Sequence, residues 1–128
     1  MNVKIDTKEK FSVITPAGDN LTENMTDEWE GQLLSFLKKD PPHLVVNMEN
    51  VKEISRTAAE KLAEVQQAFY ERNISLIICC LSESVEEQFE KSELLETMNV
   101  TPTESEAWDI MHMEEIEREL LDDENENL

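Results

Sequence analysis

Few side chains here have a type and spacing that could carry chemistry. The chain has two histidines, His43 and His112, and two adjacent cysteines, Cys79 and Cys80. Catalysis needs a nucleophile, a base and an orienting group, or else a cluster of metal ligands. Neither histidine has a cysteine near it in sequence, and there is no HExxH or CxxC spacing. Both histidines therefore read as surface residues. Cys79 and Cys80 lie inside an apolar run, and neighbouring strand side chains point to opposite faces. A mutual disulfide is then poorly placed, and reduced core thiols are expected. The only glycines, Gly18 and Gly31, cannot build a phosphate-cradling loop. The carboxylates are spread along helical faces and the C-terminal segment, without the spacing or turn glycine of a calcium loop. No enzyme activity, metal or cofactor is expected. What is left is a hydroxyl-bearing stretch, Ser55-Arg56-Thr57. There Thr57 and Glu60 have the spacing of a helix capping box.

The elements that would hold this stretch follow from periodicity. Residues 3–6 and 10–16 read as two strands joined by the polar turn Thr7-Lys8-Glu9. In the second strand Phe11, Val13 and Thr15 share one face, and Ser12 and Ile14 share the other. Residues 15–20 form the main candidate loop, with Pro16 and Gly18 as breakers. A helix from Thr22 or Thr26 to Lys39 carries Met25, Trp29, Leu33, Phe36 and Leu37 at helical spacing, and Pro41-Pro42 stops it. Residues 43–48 and 74–81 are nearly continuous apolar runs, as in parallel strands covered on both faces. Between them a helix over residues 58–72 turns Leu62, Val65, Ala68 and Phe69 inward, which makes a right-handed βαβ crossover. A third helix is predicted from Ser84, with Ser84 and Glu87 as its capping box. A short extended piece at residues 99–101 leads to a last helix that starts at Pro102 and Thr103. Its late stripe of Met113, Ile116 and Leu120 is out of register with Ile110 and Met111. That offset suggests a homodimer or partner contact through the last helix.

Thirty acidic against eleven basic residues give a net charge of -19, which disfavours nucleic acid and anionic membrane surfaces. A basic protein partner is compatible with that charge. No apolar run approaches the ~20 residues of a membrane span, nor does the N-terminus resemble a signal peptide, so a cytoplasmic location is expected. One domain over residues 1–121 is predicted, followed by an acidic, disordered tail over 122–128.

One stretch carries a family resemblance. Leu44-Val45-Val46-Asn47-Met48-Glu49-Asn50-Val51-Lys52-Glu53-Ile54-Ser55-Arg56-Thr57-Ala58-Ala59-Glu60-Lys61-Leu62 resembles the central segment of STAS domains, named for sulfate transporters and anti-sigma factor antagonists. Asn47-Met48 stands at the family's Asp-Leu pair, Val51 at its loop valine, and Ile54 at its isoleucine. Ser55-Arg56-Thr57-Ala58 stands at its Asp-Ser-Ser-Gly, and Leu62 matches the first helical core position. Val85 to Leu94, and Glu104-Ser105-Glu106-Ala107, resemble its third and final helices. The resemblance implies an α/β, SpoIIAA-like fold: a mixed sheet of four to five strands with helices packed against it. It also implies a regulatory, protein-binding role, with a kinase-type anti-sigma factor or similar regulator as partner. Thr57 falls on the phosphoacceptor position. Asn20, Leu21, Thr22, Ile54, Ser55, Arg56 and Thr57 fall on the partner-binding surface. The alternative within the family is an accessory subunit of a transport assembly, with no phospho-switch. Ser55 in place of the acidic residue and Ala58 in place of glycine depart from the pattern, and both departures bear on how a kinase would approach.

Overall fold

The computed structural model describes residues 2–126, with side chains placed through Leu121. Strands β1 (Val3–Thr7) and β2 (Ser12–Pro16) form an antiparallel hairpin, closed by the Lys8 amide donating to the Phe11 carbonyl at 2.8 Å. After a short strand β3 (Asn20–Leu21) and a 3-10 turn at Glu23–Met25, helix α1 (Thr26–Leu34) tightens into a second 3-10 turn, Ser35–Lys38. The single predicted helix is thus three consecutive pieces along one apolar stripe. Strand β4 (Leu44–Asn47), the short β5 (Glu53–Ile54), helix α2 (Arg56–Glu71) and strand β6 (Leu76–Cys79) follow. Helix α3 (Glu83–Lys91), strand β7 (Val100–Thr101) and helix α4 (Glu104–Glu126) complete the order.

The main sheet runs β1-β2-β4-β6-β7, and only the first pair is antiparallel. Leu44 pairs with Leu76 and Asn47 with Cys79, so the two apolar runs are parallel neighbours as their composition predicts. Successive side chains sort cleanly to opposite faces. Ile14, Leu44, Val46, Leu76 and Ile78 join the large core with Trp29, Phe36, Leu62, Phe69 and Phe89, which come from α1 to α3 and the turn after α1. Val13, Val45, Ile77 and Cys79 face the other way and pack beneath Ala107 and Met111 of α4.

Helices α2 and α3 end alike, and without glycine. Asn73 and Glu93 take left-handed φ values of 61° and 58°. The amides of Ile74 and Leu94 then reach back to the carbonyls of Phe69 and Phe89, each at 3.0 Å, satisfying the last turn. The acidic segment 122–128 overlaps the end of α4, whose backbone is described to Glu126; its side chains and residues 127–128 lie outside the described residues. Among the described residues, no helix is long and apolar enough to cross a membrane.

Candidate functional site

Two loops meet at the ends of β2 and β4 and fix the start of α2. The Asp19 carbonyl accepts the amides of Lys52 at 2.7 Å and Glu53 at 3.1 Å, and the Leu21 carbonyl accepts that of Ser55 at 2.8 Å. β3 and β5 therefore form a small parallel ladder, Asn20 with Glu53 and Leu21 with Ile54. Its apolar members point inward. Leu21 and Ile54 are 2% and 7% exposed, so both anchor the ladder to the core and offer little surface to a partner. The side chains that face solvent are Asn20, Arg56 and Thr57, with Thr22 and Ser55 half-buried beside them.

The cap differs from the predicted one. Ser55, in extended conformation, accepts the Ala58 amide on its Oγ at 3.1 Å and is the N-cap of α2. Glu60 binds the Arg56 side chain, with Nε to Oε1 at 2.8 Å. Thr57 sits at the second helical position, exposed, and its hydroxyl makes no hydrogen bond among the described residues. Because β5 pairs through Ile54, Ser55 is the first residue free to turn, and the helix starts two residues earlier than a Thr57 cap would set it. The same shift occurs at α3, where Ser82 caps by accepting the Val85 amide at 3.3 Å and Ser84 lies inside the helix. At α4 the predicted start holds, since the Thr103 hydroxyl accepts the Glu106 amide at 3.1 Å.

Beside this corner, Glu53, Ile54, Ser84, Glu87, Gln88 and Lys91 line a shallow depression of about 220 Å³. Ligand pockets generally start near 300 Å³ and bury most of their ligand, so this surface suits protein contact better. No group of three or more potential metal ligands occurs among the described residues.

A family model for the STAS domain matches residues 2–107. The chain belongs to the STAS domain family. A candidate anti-sigma factor antagonist from Thermotoga maritima shares its fold with a TM-score of 0.77 at 14% identity, over 86% of this chain and 94% of that one. The anti-sigma factor antagonist SpoIIAA, in its unphosphorylated form, gives 0.68 at 16% identity, over 87% of this chain and 96% of that one. The murine anion transporter Slc26a9 in its inward-facing state gives 0.70 at 12% identity, with 84% of this chain lying on 18% of that much longer one. At these identities the likeness establishes the fold. No curated protein sequence matches.

Away from this STAS corner, His43 departs from the surface role read from the sequence. Its Nδ1 accepts the Ser75 amide at 3.0 Å, and its Nε2 lies 3.2 Å from Glu115 Oε1. The imidazole therefore carries its proton on Nε2 and ties the start of β4 to the approach to β6 and to α4. Burial lowers its pKa, and the attraction of Glu115 does not make up the difference. Only the sequence distance between His43, Ser75 and Glu115 hid this cluster. His112 stays exposed, with its ring 5.6 Å from that of Trp108.

Proposed function

We propose that this STAS domain is a non-enzymatic, cytoplasmic regulatory module of the anti-sigma factor antagonist type, switched by phosphorylation of Thr57. One observation carries the reading. Ser55 makes the helix cap, which leaves the Thr57 hydroxyl exposed and free of structural duty on the first turn of α2. A phosphate there brings nearly two negative charges and three acceptor oxygens. In the free domain it sits at the positive end of the helix dipole and is tolerated. Pressed into a partner beside Glu53 and Glu60, it meets like charge and loses solvation, so the complex opens. The partner fitting this logic is a kinase-type anti-sigma factor, docking over Asn20, Thr22, Ser55, Arg56 and Thr57, with Leu21 and Ile54 supporting from beneath.

The test combines the purified chain with such a kinase-type regulator and ATP, followed by phosphosite mapping. Phosphate should appear on Thr57 and be absent in Thr57→Ala. Thr57→Glu should weaken the complex about a hundredfold, as like charges at an interface do. Phosphate on another residue, or full affinity in Thr57→Glu, would overturn the switch.

The likeness to part of an anion transporter favours a second reading, an accessory subunit of a transport assembly with no switch. Co-purification with membrane transport components, unaffected by Thr57→Glu, would select it. A homodimer through the last helix is compatible with either reading. Met113, Ile116, Leu120 and Leu121 are exposed there, and Ile116→Glu should abolish any dimer seen by analytical ultracentrifugation.

A further inference from the structure

The two cysteines defeat the alternation that should separate them. Cys79 ends β6 fully buried on the α4 side of the sheet. Cys80 leaves the strand with φ at 63°, a left-handed turn rare for a residue with a side chain. That turn swings Cys80 back to the same side, where it packs against the same cluster as Cys79. The Cys80 thiol donates to Cys79 Sγ across 3.5 Å. A disulfide needs a sulfur separation of about 2.05 Å, so a closure of roughly 1.5 Å remains.

We propose that Cys79 and Cys80 form a peroxide-modified vicinal dithiol that closes to a disulfide between neighbouring residues. The half-buried Cys80 is the point of entry, and the sealed Cys79 is the resolving thiol. The Cys80 thiolate attacks one oxygen of a hydroperoxide, giving a sulfenic acid and releasing water or an alcohol. The Cys79 sulfur then attacks the sulfenic sulfur, and the departing hydroxide takes the Cys79 proton away as water. Two thiols lose two electrons in all, and one peroxide is reduced. Burial foremost, with the adjoining Cys80 thiol, holds the Cys79 thiol above its ordinary pKa. Cys79 therefore stays protonated until the departing hydroxide takes its proton, and the contact with Cys80 rather than thiolate character brings it to react.

The peptide unit between the two thiols is also a rung of the sheet. Its carbonyl accepts the Met48 amide at 3.0 Å, and its N–H donates to the Thr101 carbonyl at 3.2 Å. Met48 opens the loop leading to β5 and α2. The Thr101 hydroxyl binds the carbonyl of Thr103, the cap of α4, at 2.8 Å. Closing the small ring must twist that peptide, so oxidation loosens both attachments together.

The experiment treats the full-length chain with hydrogen peroxide, then measures intact mass, free thiols and amide exchange. Both thiols should vanish together, with the mass falling by two hydrogens in a monomer that dithiothreitol restores. Exchange of the Met48 and Cys80 amides should rise about tenfold, the signature of local opening. Cys79→Ala should stop at a Cys80 sulfenic acid that dimedone traps, and Cys80→Ser should leave Cys79 unreactive while folded. Three results would overturn the dithiol: Cys80 passing to sulfinic acid with Cys79 still a thiol, disulfides joining two chains, or both thiols surviving in the folded protein. Ring closure without faster exchange would overturn the coupling to the sheet.

Discussion

Helices α2 and α4 cover opposite faces of the same sheet and are held there by different means. α2 buries Ala58, Ala59, Leu62, Val65, Gln66 and Phe69 in a core shared with α1 and α3. Gln66 adds a buried polar clasp: its Nε2 donates to the Leu76 carbonyl at 2.9 Å and its Oε1 accepts the Asn99 amide at 3.1 Å. Lys61 reaches from α2 to Glu30 of α1 and to Glu64, each at 2.9 Å, and these carboxylates hold its pKa above the ordinary range. α4 stands alone on its face. Ala107 and Met111 are buried, Trp108 stacks on Phe11 with centroids 5.1 Å apart, and from Met113 onward its large apolar residues are exposed. Farther along, polar contacts take over: Glu115 at His43, and Arg118 donating to Ser75 Oγ at 3.2 Å. Apolar burial does not change with pH, whereas an attachment through titratable and charged groups does, and salt screens it. The face that carries the proposed switch is thus the steadier one.

The largest expected effect separates the faces by truncation. Phe69→Ala opens a cavity in the shared core and should cost about 4 kcal/mol, read as a lower midpoint of one cooperative denaturant transition. Met111→Ala should cost less, about 2 kcal/mol, because a lone helix can settle toward the sheet. Its amide exchange should quicken in α4 before it does in α2. Equal losses spread evenly over both helices would erase the distinction. Gln66→Leu comes next. It leaves the Leu76 carbonyl and the Asn99 amide without their side-chain partner, and should cost about 2 kcal/mol by thermal melting despite the added apolar atoms.

His43 makes α4's attachment sensitive to pH. Its folded pKa lies below the ordinary value of 6.5, chiefly through burial. The folded state therefore favours the neutral ring, and the unfolded chain takes up its proton first as pH falls. The contribution is complete above 6.5, declines as pH drops through that value, and levels off below the folded pKa. Protonation also puts a hydrogen on Nδ1, where the Ser75 amide now donates. We expect His43→Asn, which keeps an acceptor without titrating, to flatten the fall in denaturation midpoint between about pH 7 and pH 5. An unchanged slope would assign the acid sensitivity to the carboxylates.

The nearly continuous apolar runs at residues 43–48 and 74–81 made the parallel core readable from sequence, because burial on both faces leaves little room for polar side chains. The Leu44-to-Leu62 stretch pointed to the family for a related reason, since its apolar positions must land where β4, β5 and α2 need them. What stayed hidden was set by contacts distant in sequence. Thr57 has Glu60 three residues on whereas Ser55 has only Ala58, so the sequence favours Thr57 as the cap, and the pairing of Ile54 with Leu21 decides for Ser55. Cys80 was misplaced because a left-handed residue at a strand's end breaks the two-residue period, and nothing in Cys79-Cys80-Leu81 announces it. Asn73 is a residue type that often ends a helix in the left-handed region, whereas nothing in Glu93 signals such an end.

The smallest effects concern how the two helices begin. Ser55→Ala removes the acceptor of the Ala58 amide, and Thr103→Ala removes that of Glu106; each should cost about 1 kcal/mol. The consequences should differ in reach. α2 is clamped from its first turn by the buried Ala58 and Ala59, so its lost cap should lower global stability without local fraying. α4 has no buried residue before Ala107, so its first turn should fray, with exchange quickening at residues 104–107 while the global midpoint moves less. Thr57→Ala supplies the reference. Its hydroxyl has no partner among the described residues and alanine favours the helix, so stability should be unchanged or slightly higher. A loss as large as that of Ser55→Ala would mean that Thr57 shares the cap, and a threonine bound to its own helix end is a poor site for a phosphate to switch.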